Sequence, residues 1–99
     1  MTIYICIAAN VPGYSPDYQD YHSCESYEEL RDFCAREVVE FIGDEDPADF
    51  DIWPFGETTE ASIACDPDSC ELWLSQDKRS GRILIASAMT EIDYVEQTQ

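Results

Sequence analysis

The chain has 99 residues, with 22 Asp and Glu against five Lys and Arg, a formal charge of −17. A field of that sign repels nucleic acid and anionic membrane surfaces and draws basic ones, which argues against direct binding to either of the first two. An apolar fraction of 44%, with two Trp, six Tyr and four Phe, also excludes a disordered acidic tail and predicts one folded domain over residues 1–99.

The charge is uneven. Residues 1–16 carry none, and residues 17–71 hold eighteen acids and only Arg31 and Arg36. The remainder, residues 72–99, holds four acids and three bases. A domain of this size buries only about 60–65% of its unfolded surface, so self-repulsion takes a real share of a thin stability margin. The acids therefore point to a role beyond folding. The start, Met1-Thr2-Ile3-Tyr4, has no basic n-region, and its apolar run is too short for a signal segment or a membrane span, so a cytoplasmic protein is expected. Five cysteines, an odd number with no CxxC pair, argue against a disulfide framework or a zinc ribbon. Cys6 and Cys34 read as core thiols. Cys65 and Cys70 flank the turn Asp66-Pro67-Asp68-Ser69 and form the one pair that oxidation could bridge.

In chain order, Thr2–Ala8 is predicted as a central strand, apolar on both faces. Asn10–Ser23 follows as a loop punctuated by Pro12, Gly13 and Pro16. The clearest element is a helix from Ser26 or Tyr27 to Ile42. Ser26 and Glu29 form a capping box in which Glu29 should reach back to the Ser26 N–H, and acids at the start favour the macrodipole. Leu30, Phe33, Cys34, Val38, Phe41 and Ile42 recur at helical spacing as the buried stripe, with Gly43 just past the end. The outer face carries Glu28, Asp32, Arg36 and Glu40, with Asp32 and Arg36 placed as an i,i+4 pair. Asp44–Asp51 reads as an acidic linker with one helical turn at Pro47–Phe50. Ile52-Trp53-Pro54-Phe55 is extended, as an edge strand or a loop, because of Pro54. Thr58–Cys65 reads as a strand, and Cys70–Ser75 with Arg82–Met89 as a hairpin closed by Gln76–Gly81. Thr90–Gln99 is left as a short strand or a frayed tail. The order β-α-β-β-β predicts an α+β fold, a small antiparallel sheet with one main helix packed on it.

The residues argue against an enzyme. His22 stands alone as a histidine, and Cys24, two residues on, does not face it on a helix or a strand. Four glycines leave little to build a phosphate loop, and no zinc-ligand spacing occurs. An EF-hand loop begun at Asp44 would need Gly and Glu where Asp49 and Phe55 stand. No cofactor, metal or catalytic residue is expected.

The acids themselves are the candidate site. A useful solubility charge for a small domain is about 2–8 in magnitude, and this chain exceeds it. Glu25, Glu28, Glu29, Asp32 and Glu40 on the helix, continued by Asp44, Glu45, Asp46, Asp49 and Asp51, trace a row of carboxylates. Helical i,i+4 neighbours lie about 5–6 Å apart at their Cβ atoms, close to the scale on which a duplex displays its phosphates. Arginines that grip phosphate grip carboxylate by the same bidentate geometry. Tyr18 and Tyr21 offer uncharged anchoring area beside the row.

In small size, extreme acidity and a single helix on a small sheet, the chain resembles the phage-encoded anti-CRISPR proteins that mimic DNA. The resemblance rests on general character rather than an alignable motif. It implies a non-catalytic inhibitor, acting in the host cytoplasm, that occupies the basic DNA-binding channel of a Cascade-type effector. The expected partner is a basic nucleic-acid-binding protein, a CRISPR effector complex or a nuclease, met by a monomer. Two alternatives stand beside it: an immunity-type inhibitor of a basic nuclease or toxin, and an acidic protein-protein adaptor.

Overall fold

The central strand organises the molecule. In the computed structural model, which describes residues 2–52 and 71–99, β1 runs from Ile3 to Asn10 and pairs antiparallel on both sides. Its side chains alternate strictly: Ile3, Ile5, Ile7 and Ala9 are buried, while Tyr4, Cys6 and Ala8 are half-buried on the other face. On one side lies β2 (Tyr18–Cys24), on the other β5 (Ile83–Met89), followed by β4 (Glu71–Asp77) and β3 (Phe50–Ile52). The result is an antiparallel five-stranded sheet ordered β2-β1-β5-β4-β3. Helix α1 (Tyr27–Ile42) covers one face, and a second helix, α2 (Glu91–Thr98), follows β5.

Two expectations are corrected. The segment read as a loop, Asn10–Ser23, contains β2. Its turn is Val11-Pro12-Gly13-Tyr14, closed by the Tyr14 N–H donating to the Val11 carbonyl at 3.0 Å, with Gly13 at φ +90°. Proline and glycine at these two positions are the residues a type II turn requires. Tyr-Gln-Asp-Tyr-His-Ser-Cys has no apolar alternation to mark a strand; it lies at the sheet edge, with Tyr18, Gln19 and Asp20 exposed. Thr90–Gln99 is neither strand nor frayed tail. Thr90 caps α2 by accepting from the Asp93 N–H at 3.2 Å, and Glu91 and Asp93 occupy the first turn. The fold is therefore α+β with two helices, in the order β-β-α-β-β-β-α along the described chain. The strand expected at Thr58–Cys65, the segment Trp53–Phe55 and the Cys65–Cys70 pair lie outside the described residues.

Helix α1 follows its sequence closely. Ser26 is extended and its hydroxyl accepts from the Glu29 N–H at 3.1 Å. The return bond differs by one residue: the Glu29 carboxylate accepts from the N–H of Glu25, at 2.8 Å, rather than of Ser26. Gly43 ends the helix at φ +59°, its N–H donating to the Val39 carbonyl at 3.0 Å. Leu30, Phe33, Cys34 and Ile42 are buried, and Val38 and Phe41 pack on the core half-buried. All of these but Ile42 join one cluster with Ile5, Ile7, Leu72, Leu74, Leu84 and Ala86 from the sheet. Each large aliphatic side chain so covered is worth about 1.5–3 kcal/mol. Phe33 also stacks on His22 of β2, ring centroids 4.1 Å apart and planes 7° from parallel. His22 is thus a packing residue on the helix-facing side of the sheet.

Cys34 is buried as expected, and burial pushes its thiol up to about 12 and that of Cys24 to about 11, so both stay protonated and inert. Cys6 is not a core thiol. It is half-buried on the opposite face, where the Gln19 side-chain amide donates to its sulfur at 3.3 Å. On that face Tyr94 of α2 lies against Tyr4, centroids 4.8 Å apart, and the Tyr21 hydroxyl donates to the Gln97 side-chain carbonyl at 3.4 Å. In the pairing of β4 with β5, a bulge between Trp73 and Ser75 turns both Leu74 and Ser75 inward. The buried Ser75 hydroxyl donates to the Asp51 carbonyl at 2.8 Å and holds the short edge strand.

Replacing Phe33 by Ala removes a buried ring and its stack on His22, and should cost about 3–5 kcal/mol in urea unfolding. The same change at half-buried Phe41 should cost distinctly less; equal losses would contradict this description of the core.

Candidate functional site

The carboxylates fall into two populations, separated by where the basic residues sit. Lys78, Arg79 and Arg82 all lie at the β4–β5 turn, which closes with the Gly81 N–H donating to the Asp77 carbonyl at 2.8 Å. The turn is joined to the helical turn at Pro47–Asp49, itself capped by Asp46 accepting from the Ala48 N–H at 3.0 Å. The Lys78 N–H donates to the Asp49 carbonyl at 2.9 Å, and Lys78 Nζ to the Ala48 carbonyl at 3.3 Å. This contact brings the bases onto the acidic linker. Arg79 binds Glu45 at 2.6 Å, with Asp49 at 3.8 Å and Asp77 at 3.6 Å, and Lys78 lies 3.7 Å from Asp51. The Arg79 backbone N–H, helped by the Ser80 hydroxyl and the Arg79 guanidinium, holds the Asp77 carboxyl below its ordinary range.

The expected continuous row of acids is therefore broken. Glu45, Asp49 and Asp51, assigned to a partner from the sequence, are satisfied within the molecule, and Asp46 serves as a cap. Asp44 remains exposed. Glu25 and Glu29 are exposed but engaged at the helix start, where Glu25 also accepts from the Thr2 hydroxyl at 3.5 Å.

The second population lies along α1. Glu28, Asp32, Arg36 and Glu40 form an i,i+4 ladder on the solvent side, and all four are exposed. At 1.5 Å per residue it spans about 18 Å. Among the described residues no basic group comes within 4.0 Å of Glu28, Asp32 or Glu40; the expected Asp32–Arg36 ion pair is not formed. Arg36 nevertheless interrupts the ladder, and Arg31 reduces its net charge further. Exposed Val39 adds an apolar patch beside Glu40.

The tyrosines separate as well. Tyr18 pairs with Ala9 and so lies on the helix side of the sheet; Tyr21 pairs with Cys6 and lies on the other, near α2. They cannot serve one surface together. Tyr18 borders a feature that the sequence did not reveal, a cleft of about 240 Å³ between the last turns of α1 and the end of the sheet. Ala9 and Leu84 form its buried base, with Tyr18, Glu37, Glu40, Phe41 and Arg82 around it. Arg82 is tied to Asp17 at 3.0 Å and lies over the Phe41 ring, 5.1 Å from its centroid. Partial burial, and then the charges of Glu40 and Asp20, push the Glu37 carboxyl upward. Burial, and then the charges of Glu37, Asp20 and Glu40, raise the Tyr18 phenol.

Among the described residues no three His, Cys, Asp or Glu side chains come together to hold a metal ion, and no helix is long and apolar enough to cross a membrane.

A carboxyl whose folded pKa is raised contributes stability only while protonated. The contribution is complete below the unfolded value of about 4.3 and is lost as pH climbs through the folded one. Glu37→Gln should therefore raise the melting temperature at pH 7, and the gain should disappear below about pH 4. A gain independent of pH, or none at pH 7, would show that burial and the neighbouring acids do not strain Glu37.

Comparison of the chain with protein-family models, curated proteins and solved structures finds no match in any of the three.

Proposed function

We propose that this protein is a non-catalytic inhibitor whose acidic α1 surface occupies the positively charged nucleic-acid channel of another protein. A CRISPR effector of the Cascade type is the first target to test. The observation that carries the reading is the partition of charge: of the three bases at the β4–β5 turn, Lys78 and Arg79 are spent on linker acids and Arg82 on Asp17, while Glu28, Asp32 and Glu40 face solvent with no cation within 4.0 Å among the described residues. A surface that only served solubility would gain nothing from this separation. A cationic groove shaped to displace counterions from phosphate gains three to four acceptors along one helix. The second helix adds exposed Glu91, Asp93 and Glu96. These lie on the element that packs over the opposite sheet face, so a flat duplex-like array is not required; a groove closing on the helix edge is enough.

This reading departs from the sequence expectation in one respect. The contact set is Glu28, Asp32 and Glu40, with Asp44 and Tyr18 nearby; the linker acids that Lys78 and Arg79 hold are structural.

Capture from cells that carry CRISPR and restriction systems, with elution by duplex DNA, identifies the partner class. Recovery of a toxin or nuclease that duplex DNA does not displace would replace mimicry with an immunity-type role. With the partner in hand, affinity should fall about tenfold or more between 50 and 200 mM salt. Glu28→Lys, Asp32→Lys and Glu40→Lys together should abolish binding in a folded protein, and Arg36→Gln should tighten it. Asp49→Asn with Asp51→Asn should lower stability and leave affinity nearly unchanged. Binding that survives the triple reversal would place the interface elsewhere.

A further inference from the structure

The cleft beneath the end of α1 has a chemistry that the acidic ladder lacks. At about 240 Å³ it is smaller than the roughly 300–1,000 Å³ of drug-sized ligand sites and suits one side chain. Its base, Ala9 and Leu84, is apolar and buried, and Tyr18 stands at its edge with a partly exposed ring. Glu37 and Glu40 reach it from α1. The cation already present does not satisfy them: Arg82 is matched to Asp17 at 3.0 Å, and no basic group among the described residues lies within 4.0 Å of Glu37 or Glu40. Arg82 also shows what the site accepts. Its guanidinium carbon lies over the Phe41 ring, 5.1 Å from the centroid, and the cleft has its volume with Arg82 in place. Phe50 meets Phe41 edge-on at 5.7 Å, so Tyr18 is the aromatic face left for an incoming group.

We infer that this cleft is the receptor for a single arginine side chain of the basic partner, with the guanidinium on the Tyr18 ring and Glu37 and Glu40 as its acceptors. The inference rests on the reading that the chain binds a basic protein and supplies its anchor. Arginine is selected over lysine for a physical reason. A planar guanidinium stacks on an aromatic ring and offers parallel donors to two carboxylates, whereas an ammonium is a compact, strongly hydrated point charge. Burial of the arginine stem against Ala9 and Leu84 adds apolar contact. The ladder then supplies long-range attraction, and the cleft supplies register.

The test needs no partner protein. The full chain is titrated with N-acetyl-arginine methylamide at constant ionic strength while the Tyr18 ring and Glu37 and Glu40 backbone resonances are followed by NMR. The matched lysine and citrulline amides serve as comparators. A saturable shift centred on the cleft is expected for arginine, at least about threefold tighter than for lysine, and none for the uncharged citrulline. Glu37→Gln with Glu40→Gln, and independently Tyr18→Leu, should each remove the saturable shift while the spectrum stays dispersed. Equal response to arginine and lysine, a response to citrulline, or a shift that survives both variants would overturn the assignment. The variant Glu28→Lys with Asp32→Lys leaves the cleft intact. If it still takes arginine although no channel-bearing partner is ever captured, the inhibitor reading fails and the cleft stands. If the wild-type protein blocks a channel but shows no arginine shift, the cleft fails and the inhibitor reading stands.

Discussion

Mutual repulsion among 22 carboxylates is the constraint under which this fold is built, and five bases are too few to relieve it everywhere. The chain concentrates three of them on one turn. Held there by hydrogen bonds to the Asp49 and Ala48 carbonyls, that turn neutralises the stretch after α1, where Glu45, Asp49 and Asp51 must lie close together for the chain to enter β3. Each exposed ion pair adds little alone, but the three acids gathered by Arg79 share one cation and one geometry. The helix has Arg31 and Arg36, but neither forms an ion pair within 4.0 Å among the described residues. Its acids are kept apart by spacing and solvent, and the core beneath α1, from Ile5 and Ile7 through Leu30 and Phe33, carries the cost.

Elements that bury an apolar face were legible in the sequence; elements that do not were less so. Ile3-Tyr4-Ile5-Cys6-Ile7 announced a central strand, and the Ser26–Glu29 cap, the stripe from Leu30 to Ile42 and Gly43 bounded α1 almost to the residue. The β4–β5 hairpin was equally plain. Strand β2 was hidden because an edge strand needs neither alternation nor hydrophobicity; its hydrogen bonds to β1 define it, and only the Pro12-Gly13 turn betrayed a hairpin. Helix α2 was overlooked although Thr90, Glu91 and Asp93 spell an N-terminus, because eight residues give too short a pattern for periodicity to register.

The site was legible in type and wrong in extent. Composition pointed to carboxylates, and those of α1 are where the periodicity put them. Which acids are free depends on contacts between residues about 30 apart, such as Arg79 with Glu45, and no local pattern encodes these. The pairing of Tyr18 with Tyr21 failed for a simpler reason: three residues apart on a strand, they point to opposite faces. The cleft joins β1, β2, α1 and β5, and it exists only once the sheet order is known.

Confining cations to one end has an electrical consequence for the described body. The strand register places the β4–β5 turn near Asn10 and Tyr18, while Glu25, Glu28, Glu29, Glu91 and Asp93 gather near the other end, by Tyr4 and Met89. The end that carries the turn also holds Asp17, Glu40, Asp44, Glu45, Asp46, Asp49, Asp51 and Asp77, so both ends stay anionic and a basic surface is drawn to the described body from either one.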